Sequence, residues 1–147
     1  MPARRLPGLG VRVRRARRTD LEAVRALLGR PVRPAEQRFD RRVVTDLGSD
    51  VYLAEDDGSA VVGVVGVFYL RSLASGRWRA VLDVLRARDE PLAAALVAFA
   101  EERARGRGCT TLEAWPARDD DPLVPAVVAR GWRPAPPAHV VSLEGPT

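Results

Sequence analysis

Lysine, isoleucine and asparagine are absent from the 147 residues. All 24 cations are therefore Arg, and Ala is abundant, which reads as the codon bias of a very GC-rich, bacterial genome. Arg abundance alone thus carries no functional argument. A single cysteine, Cys109, excludes an internal disulfide, and a single histidine, His139, excludes a histidine-based metal cluster. No apolar run approaches the roughly 18 residues that a membrane-spanning helix needs. Residues 1–10 also lack the apolar core of a secretory signal. These absences predict a cytoplasmic protein with no membrane partner and no metal.

What is present is an ordinary globular composition, 46% hydrophobic and 29% charged, in a length that suits one domain. Such a chain buries enough surface to fold without a disulfide or metal. Its net charge of 24 − 19 = +5 is unevenly spread. Residues 1–18 carry seven Arg and no acid, whereas the other 129 hold 17 Arg against 19 acids. The basic segment would suit a polyanion, but no aromatic interleaves its Arg residues to stack on bases, so a nucleic-acid partner is not expected. We expect residues 1–10 to be a disordered basic arm and 11–147 to be one domain.

Residues 11–17 alternate Val and Arg, which predicts a strand with one wet face. Thr19 and Glu22 have the spacing of a capping box, and Leu21, Val24 and Leu28 continue it as a helix that Gly29 and Pro31 stop. A second helix is expected from Pro34, with Phe39, Val43 and Leu47 on its apolar face and Gly48 after its end. Strands follow at Val51–Glu55, Ala60–Leu70 and Trp78–Leu85, separated by Asp56-Asp57-Gly58 and Ser75-Gly76. Gly63 and Gly66 within the middle strand mark a close backbone approach or a bulge. Trp78, Ala80, Leu82 and Val84 are expected on one face. Leu92–Ala104 is an Ala-rich helix, Thr110–Ala114 a strand, Asp119 to about Arg130 a helix with acids at its start, and His139–Leu143 a last strand.

This order, with these local sequences, resembles the GNAT family of acyl-CoA N-acyltransferases over about residues 11–144. Val11-Arg12-Val13-Arg14-Arg15-Ala16-Arg17-Arg18-Thr19-Asp20-Leu21-Glu22 looks like the family's first strand and helix. Val51-Tyr52-Leu53-Ala54-Glu55-Asp56-Asp57-Gly58 with Val61-Val62-Gly63 looks like its central hairpin. Glu101-Glu102-Arg103-Ala104-Arg105-Gly106-Arg107-Gly108-Cys109 is similar to the end of its main helix, and Ala129-Arg130-Gly131-Trp132-Arg133 to the end of its final one. The resemblance implies an α/β (α+β) fold, a mixed, mostly antiparallel sheet flanked by helices on both faces. It implies transfer of an acetyl or related acyl group from acetyl-CoA to an amine of a small molecule or protein. It also implies a homodimer, since many relatives pair through strand edges.

In the family the cofactor's pyrophosphate rests on backbone amides where a Gln/Arg-x-x-Gly-x-Gly/Ala loop opens the main helix. Here that stretch is Arg88-Asp89-Glu90-Pro91-Leu92-Ala93. Arg88 and Ala93 match; Pro91 replaces the central glycine and has no N–H, and Asp89 and Glu90 bring carboxylates toward an anion. Val84, Arg86, Arg88, Leu92 and Ala93 are the residues that the resemblance implies for the cofactor. The family's general-acid Tyr is here Val127, and its cofactor-contacting Asn is Asp120. The departures support an alternative, a catalytically degenerate GNAT-like binding or regulatory protein that does not use CoA.

An amine must lose a proton to attack a thioester, so a base is sought. Asp83 is the first candidate: it interrupts the apolar run Ala80-Val81-Leu82-Asp83-Val84-Leu85, where strand propensity disfavours Asp and burial would raise its pKa. Glu113, on the following strand, is the second. Asp119 to Asp121 could hold a cationic substrate, although acids also suit a helix start. Cys109 and His139 have no recognisable catalytic pairing and read as structural.

Overall fold

The computed structural model describes residues 3–31, 33–134 and 141–144. Its elements are β1 (Arg4–Leu6), β2 (Val11–Arg15), α1 (Leu21–Leu28), α2 (Gln37–Thr45), β3 (Ser49–Asp56), β4 (Val61–Ser72), β5 (Arg77–Ala87), α3 (Glu90–Gly106), β6 (Thr111–Ala114) and α4 (Leu123–Ala129). The strands form one sheet in the order β1-β2-β3-β4-β5-β6. Every neighbouring pair is antiparallel except β5 and β6, which run parallel because α3 crosses between them.

Burial on both faces explains the sequence of the central strands. β4 is a nearly continuous apolar run from Val61 to Leu70, and β3 is buried along almost its whole length around Val51–Ala54, as strands covered from both sides are. One face packs Val65, Val67, Leu82 and Leu85 against Leu92, Leu96 and Phe99 of α3 and Leu123 and Val127 of α4. The other packs Val51, Leu53 and Val64 against Val44 of α2, with Leu21, Val24 and Leu27 of α1 around them. The expected fold class, a mixed, mostly antiparallel sheet between two helical layers, is what forms. Among the described residues no helix is long and apolar enough to cross a membrane.

Several local expectations are corrected. Within the arm expected to be disordered, Arg4–Leu6 instead pairs with Val11–Val13 as a hairpin. Gly8 and Gly10, both at positive φ, make the turn; Leu6 is buried, and Arg4 donates twice to Glu102 at 2.8 and 2.9 Å. The basic segment is matched by acids from elsewhere. Arg5 faces Asp57, Arg12 faces Glu55, and Arg14 donates to both Asp20 and Glu55.

At the start of α1 the reciprocal cap is not made by Thr19 and Glu22. Asp20 accepts the Arg17 N–H at 2.6 Å and also holds Arg14, so a stronger, charge-assisted partner takes the position. In α2 the inward residues are Asp40 and Val44; Phe39 and Leu47 are exposed. Arg25 draws Asp40 inward, and the helix ends at Thr45, before Leu47 can continue its face. Trp78 is partly exposed beneath the Arg71 guanidinium. Val84 leaves the face shared by Ala80 and Leu82, for a reason that belongs to the site below. The expected strand at His139–Leu143 lies partly outside the described residues, and its described portion, 141–143, is not in a strand.

Candidate functional site

β4 and β5 pair Val65 with Leu85 and Gly66 with Val84, but then Val67 with Leu82. Asp83 has no partner across the ladder: it is the extra residue of a β-bulge. A bulge reverses the two-residue alternation. Before it, Ala80 and Leu82 face the α3 layer; after it, Leu85 does. Val84 turns to the α1–α2 layer. Gly66 stands opposite, where an added Cβ would lie 3.5 Å from that of Val84.

Asp83 and Val84 thereby reach a cleft of about 280 Å³ between the sheet and the first two helices. Its walls are largely apolar, with Val24 and Leu28 from α1, Val43 from α2, and Val64 and Phe68 from β4. That is a modest volume for a small-molecule site, and its character, apolar walls with a few polar groups, is typical of one. Arg25, Arg30 and Asp40 also line it but are already engaged. Asp40 accepts from Arg25 at 2.7 and 3.1 Å and pairs with Arg30 at 2.9 Å, tying the end of α1 to α2. Sequence reasoning missed this clasp; its one signal is an acid, Asp40, between the apolar positions of a helix.

Asp83 differs from these groups. Among the described residues it has no hydrogen-bond or ion-pair partner. Burial pushes its carboxyl above the ordinary Asp range, and the negative charge of Asp121 pushes it further in the same direction. Asp121 is the better-served acid. Burial raises it too, but the N–H groups of Leu123 and Ala117 and the Arg86 guanidinium outweigh burial and hold it low.

Glu113, the second candidate base, is not among the residues lining this cleft. It stands in register with Val81, is bound by Arg79, and accepts from the Trp115 indole at 3.3 Å. Of the expected acids before α4, Asp121 serves the fold as described above. Cys109 is half-buried and burial pushes its thiol up, against thiolate chemistry, although Arg107 pulls the other way. His139 lies outside the described residues.

β5 and β6 stay paired from Arg79–Thr111 to Leu82–Ala114, and the Trp115 N–H still reaches the Leu82 carbonyl at 3.0 Å. Beyond that point β5 runs on to Ala87 beside β4 alone. The β5–β6 ladder therefore ends at Leu82, one residue before Asp83.

The residues implied for the cofactor do not gather into one surface. Val84 faces the cleft, while Leu92 is fully buried in the opposite core. Arg86 donates to Asp121 and to the Leu85 carbonyl. Arg88 donates to the Leu9 carbonyl at 3.0 Å and to Asp89 at 3.2 Å. In the first turn of α3 the Leu92 N–H is taken by the Asp89 carboxylate at 2.9 Å. Pro91 has no N–H, and the Ala93 N–H closes the helix on the Asp89 carbonyl at 3.1 Å. This turn is a well-made Asp cap with Pro just inside it. It does not fit an acyl-CoA pyrophosphate, because Pro91 offers no N–H, those of Leu92 and Ala93 are already taken, and the Asp89 carboxylate sits where an anion would have to come.

No protein-family model and no curated protein matches the sequence. Solved structures do match. A transcriptional regulator from Bacillus halodurans C-125 superposes with a TM-score of 0.77 at 23% identity, over 90% of this chain and 99% of that one. A ribosomal-protein-alanine N-acetyltransferase from Brucella melitensis biovar Abortus 2308 gives 0.74 at 18% identity, over 90% and 99%. A GNAT family acetyltransferase from Staphylococcus aureus gives 0.69 at 12% identity, over 92% and 100%. With the mixed, mostly antiparallel sheet and the helical layers on both faces, these likenesses show that the chain has the fold of the GNAT acetyltransferases.

Proposed function

We propose that this chain is a binding protein built on the acetyltransferase fold: it takes an apolar amine in the cleft beside Asp83 and does not take acyl-CoA at α3. The observation that carries this reading is the first turn of α3, where Asp89 and Pro91 leave no row of free amides for a pyrophosphate. The amine follows from the cleft. Its apolar walls suit a hydrocarbon body, and the unmatched Asp83 suits an ammonium group. An arriving cation would repay the cost of ionising Asp83 in a half-buried place.

The test is calorimetric titration with 2-phenylethylamine. Saturable binding is expected, weakened about tenfold or more in Asp83→Asn, in line with a charge-assisted contact. No binding, or equal binding by Asp83→Asn, would remove Asp83 from the site.

A second reading, acyl transfer from acetyl-CoA to that amine in the cytoplasm, is favoured by the raised carboxyl of Asp83 at the point where β5 and β6 part. There Asp83 would accept the proton that the ammonium must lose before it attacks. This reading requires an acyl-CoA site other than the first turn of α3, and it predicts an N-acylated amine as product.

A further inference from the structure

β4 and β5 outrun their neighbours at the turn that joins them. β3 pairs with β4 only as far as Phe68, and the last bond on that side is from the Tyr69 N–H to the Gly48 carbonyl at 3.0 Å. β6 pairs with β5 only from Arg79, and the last bond there is from the Thr110 N–H to the Trp78 carbonyl at 3.2 Å. Beyond those points, among the described residues, the two strands pair only with each other: Leu70 with Arg79, Arg71 with Trp78 and Ser72 with Arg77. The result is a two-stranded finger. Its turn is well made. The Gly76 N–H, at positive φ, donates to the Ser72 carbonyl at 2.8 Å, and the Ser75 N–H donates to the Ser72 hydroxyl at 3.2 Å. The Arg71 guanidinium lies 4.9 Å over the Trp78 ring and ties the strands a second time.

The finger's composition is one-sided. Residues 70–79 read Leu-Arg-Ser-Leu-Ala-Ser-Gly-Arg-Trp-Arg, with three Arg and no acid. Arg79, at the base, is held by Glu113. The other two cations are exposed and meet no acid among the described residues: Arg71 has the Trp78 ring, and Arg77 has neither a hydrogen-bond nor an ion-pair partner. The apolar groups are equally open. Leu73, in the turn, is 100% exposed, Leu70 is 42% exposed and Trp78 is 41% exposed. A fully exposed Leu gives the fold no burial. Single apolar residues on a surface are ordinary, but three on one short finger, beside two unspent cations, mark an interaction surface.

We propose that the β4–β5 finger docks on an anionic lipid surface, with Leu73 entering the boundary between headgroups and acyl chains and Arg71 and Arg77 meeting lipid phosphates. Ser72–Arg77 is the last pair before the turn and Arg71–Trp78 the next, so the cations and the indole stand just behind the aliphatic tip. That is the order a membrane interface asks for: hydrocarbon leaves water, an indole sits at the polar–apolar boundary, and guanidiniums meet phosphate. A nucleic acid would engage the Arg side chains but leave Leu70 and Leu73 in water. The expectation of no membrane partner rests on the lack of a spanning run, and a surface contact needs none. The inference is independent of the cleft beside Asp83.

The test is co-sedimentation of the full chain with vesicles of phosphatidylcholine alone and of phosphatidylcholine mixed with phosphatidylglycerol. Binding is expected to the mixed vesicles and not to phosphatidylcholine alone, and it should weaken as salt is raised. Leu73→Ser is expected to lower affinity for the mixed vesicles about tenfold, and Arg77→Gln about fivefold. Both side chains are exposed, so both variants should keep the parent's circular dichroism spectrum. Asp83→Asn should bind the vesicles as the parent does, so the finger and the cleft are tested separately. Absence of binding to the mixed vesicles, equal binding to phosphatidylcholine alone, or unchanged affinity in either folded finger variant would overturn the proposal. So would binding of a single-stranded oligothymidylate that Arg77→Gln abolishes and Leu73→Ser leaves intact, because the finger would then serve a nucleic acid.

Discussion

Two acids, Asp83 and Asp50, show how neighbours decide the chemistry of a buried carboxylate. At Asp50, burial pushes the carboxyl up, but the hydrogen bonds from Tyr69 and Arg15 and the charges of Arg103 and Arg107 outweigh it and hold the group below the ordinary range. At Asp83, burial is joined by the charge of Asp121 and nothing opposes them. A group raised in the folded state contributes its full stability below its unfolded pKa and loses it as pH rises through the folded value. Ionised Asp83 is then a cost near neutrality. Asp83→Asn should therefore unfold at higher urea than the parent at pH 7, with the difference shrinking as pH falls and vanishing below about pH 4, where the unfolded carboxyl is also protonated. Equal midpoints at pH 7 would mean that the carboxylate is compensated. Asp83 was legible in the sequence because an acid breaks an apolar run. Asp50 was not: it lies between Gly48 and the strand expected from Val51, and its partners come from β2, β4 and α3.

At the scale of elements, α3 and β4 carry the argument. Asp89→Ala removes the cap on Leu92 and should cost about 1 kcal/mol, measured by urea denaturation. A loss near zero would show that Asp89 is not spent on the helix. Gly63 is where β4 passes beneath α3. An added Cβ would come within 3.0 Å of Leu96, 3.1 Å of the Arg86 carbonyl and 3.2 Å of Leu92. Gly63→Ala is thus expected to destabilise by about 1–3 kcal/mol through overpacking, and an unchanged urea midpoint would mean that the helix has room to move. The glycines of this strand signalled both features before the structure did: Gly63 marks the close approach, and Gly66 stands beside the bulge. The inward face of α2 was misread for a physical reason. Periodicity favoured Phe39 and Leu47, but ion pairing from Arg25 and Arg30 turned Asp40 inward, and the partners of that pairing lie outside α2, where its own periodicity carries no sign of them.

For the whole molecule, the order of elements was readable because each is bounded by strong local signals: Gly and Pro stops, turn acids and period-two valines. The fold assignment follows from that order and from the superposed structures. The division of the site was less readable, since it depends on one unpaired residue in a strand ladder. The bulge at Asp83 reverses the alternation, so Val84 turns to the cleft instead of sharing the face of Ala80 and Leu82, and Leu85 joins the α3 core in its place. The central claim is that this framework keeps the amine cleft while its α3 terminus has been closed by the chain itself. The measurement that tests it most directly is calorimetric titration of the protein with acetyl-CoA and with free CoA, beside 2-phenylethylamine. The account predicts saturable heat from the amine and none from either CoA species at millimolar concentration. Micromolar binding of acetyl-CoA would contradict it, and would mean that Asp89 and Pro91 leave the first turn of α3 open to a pyrophosphate.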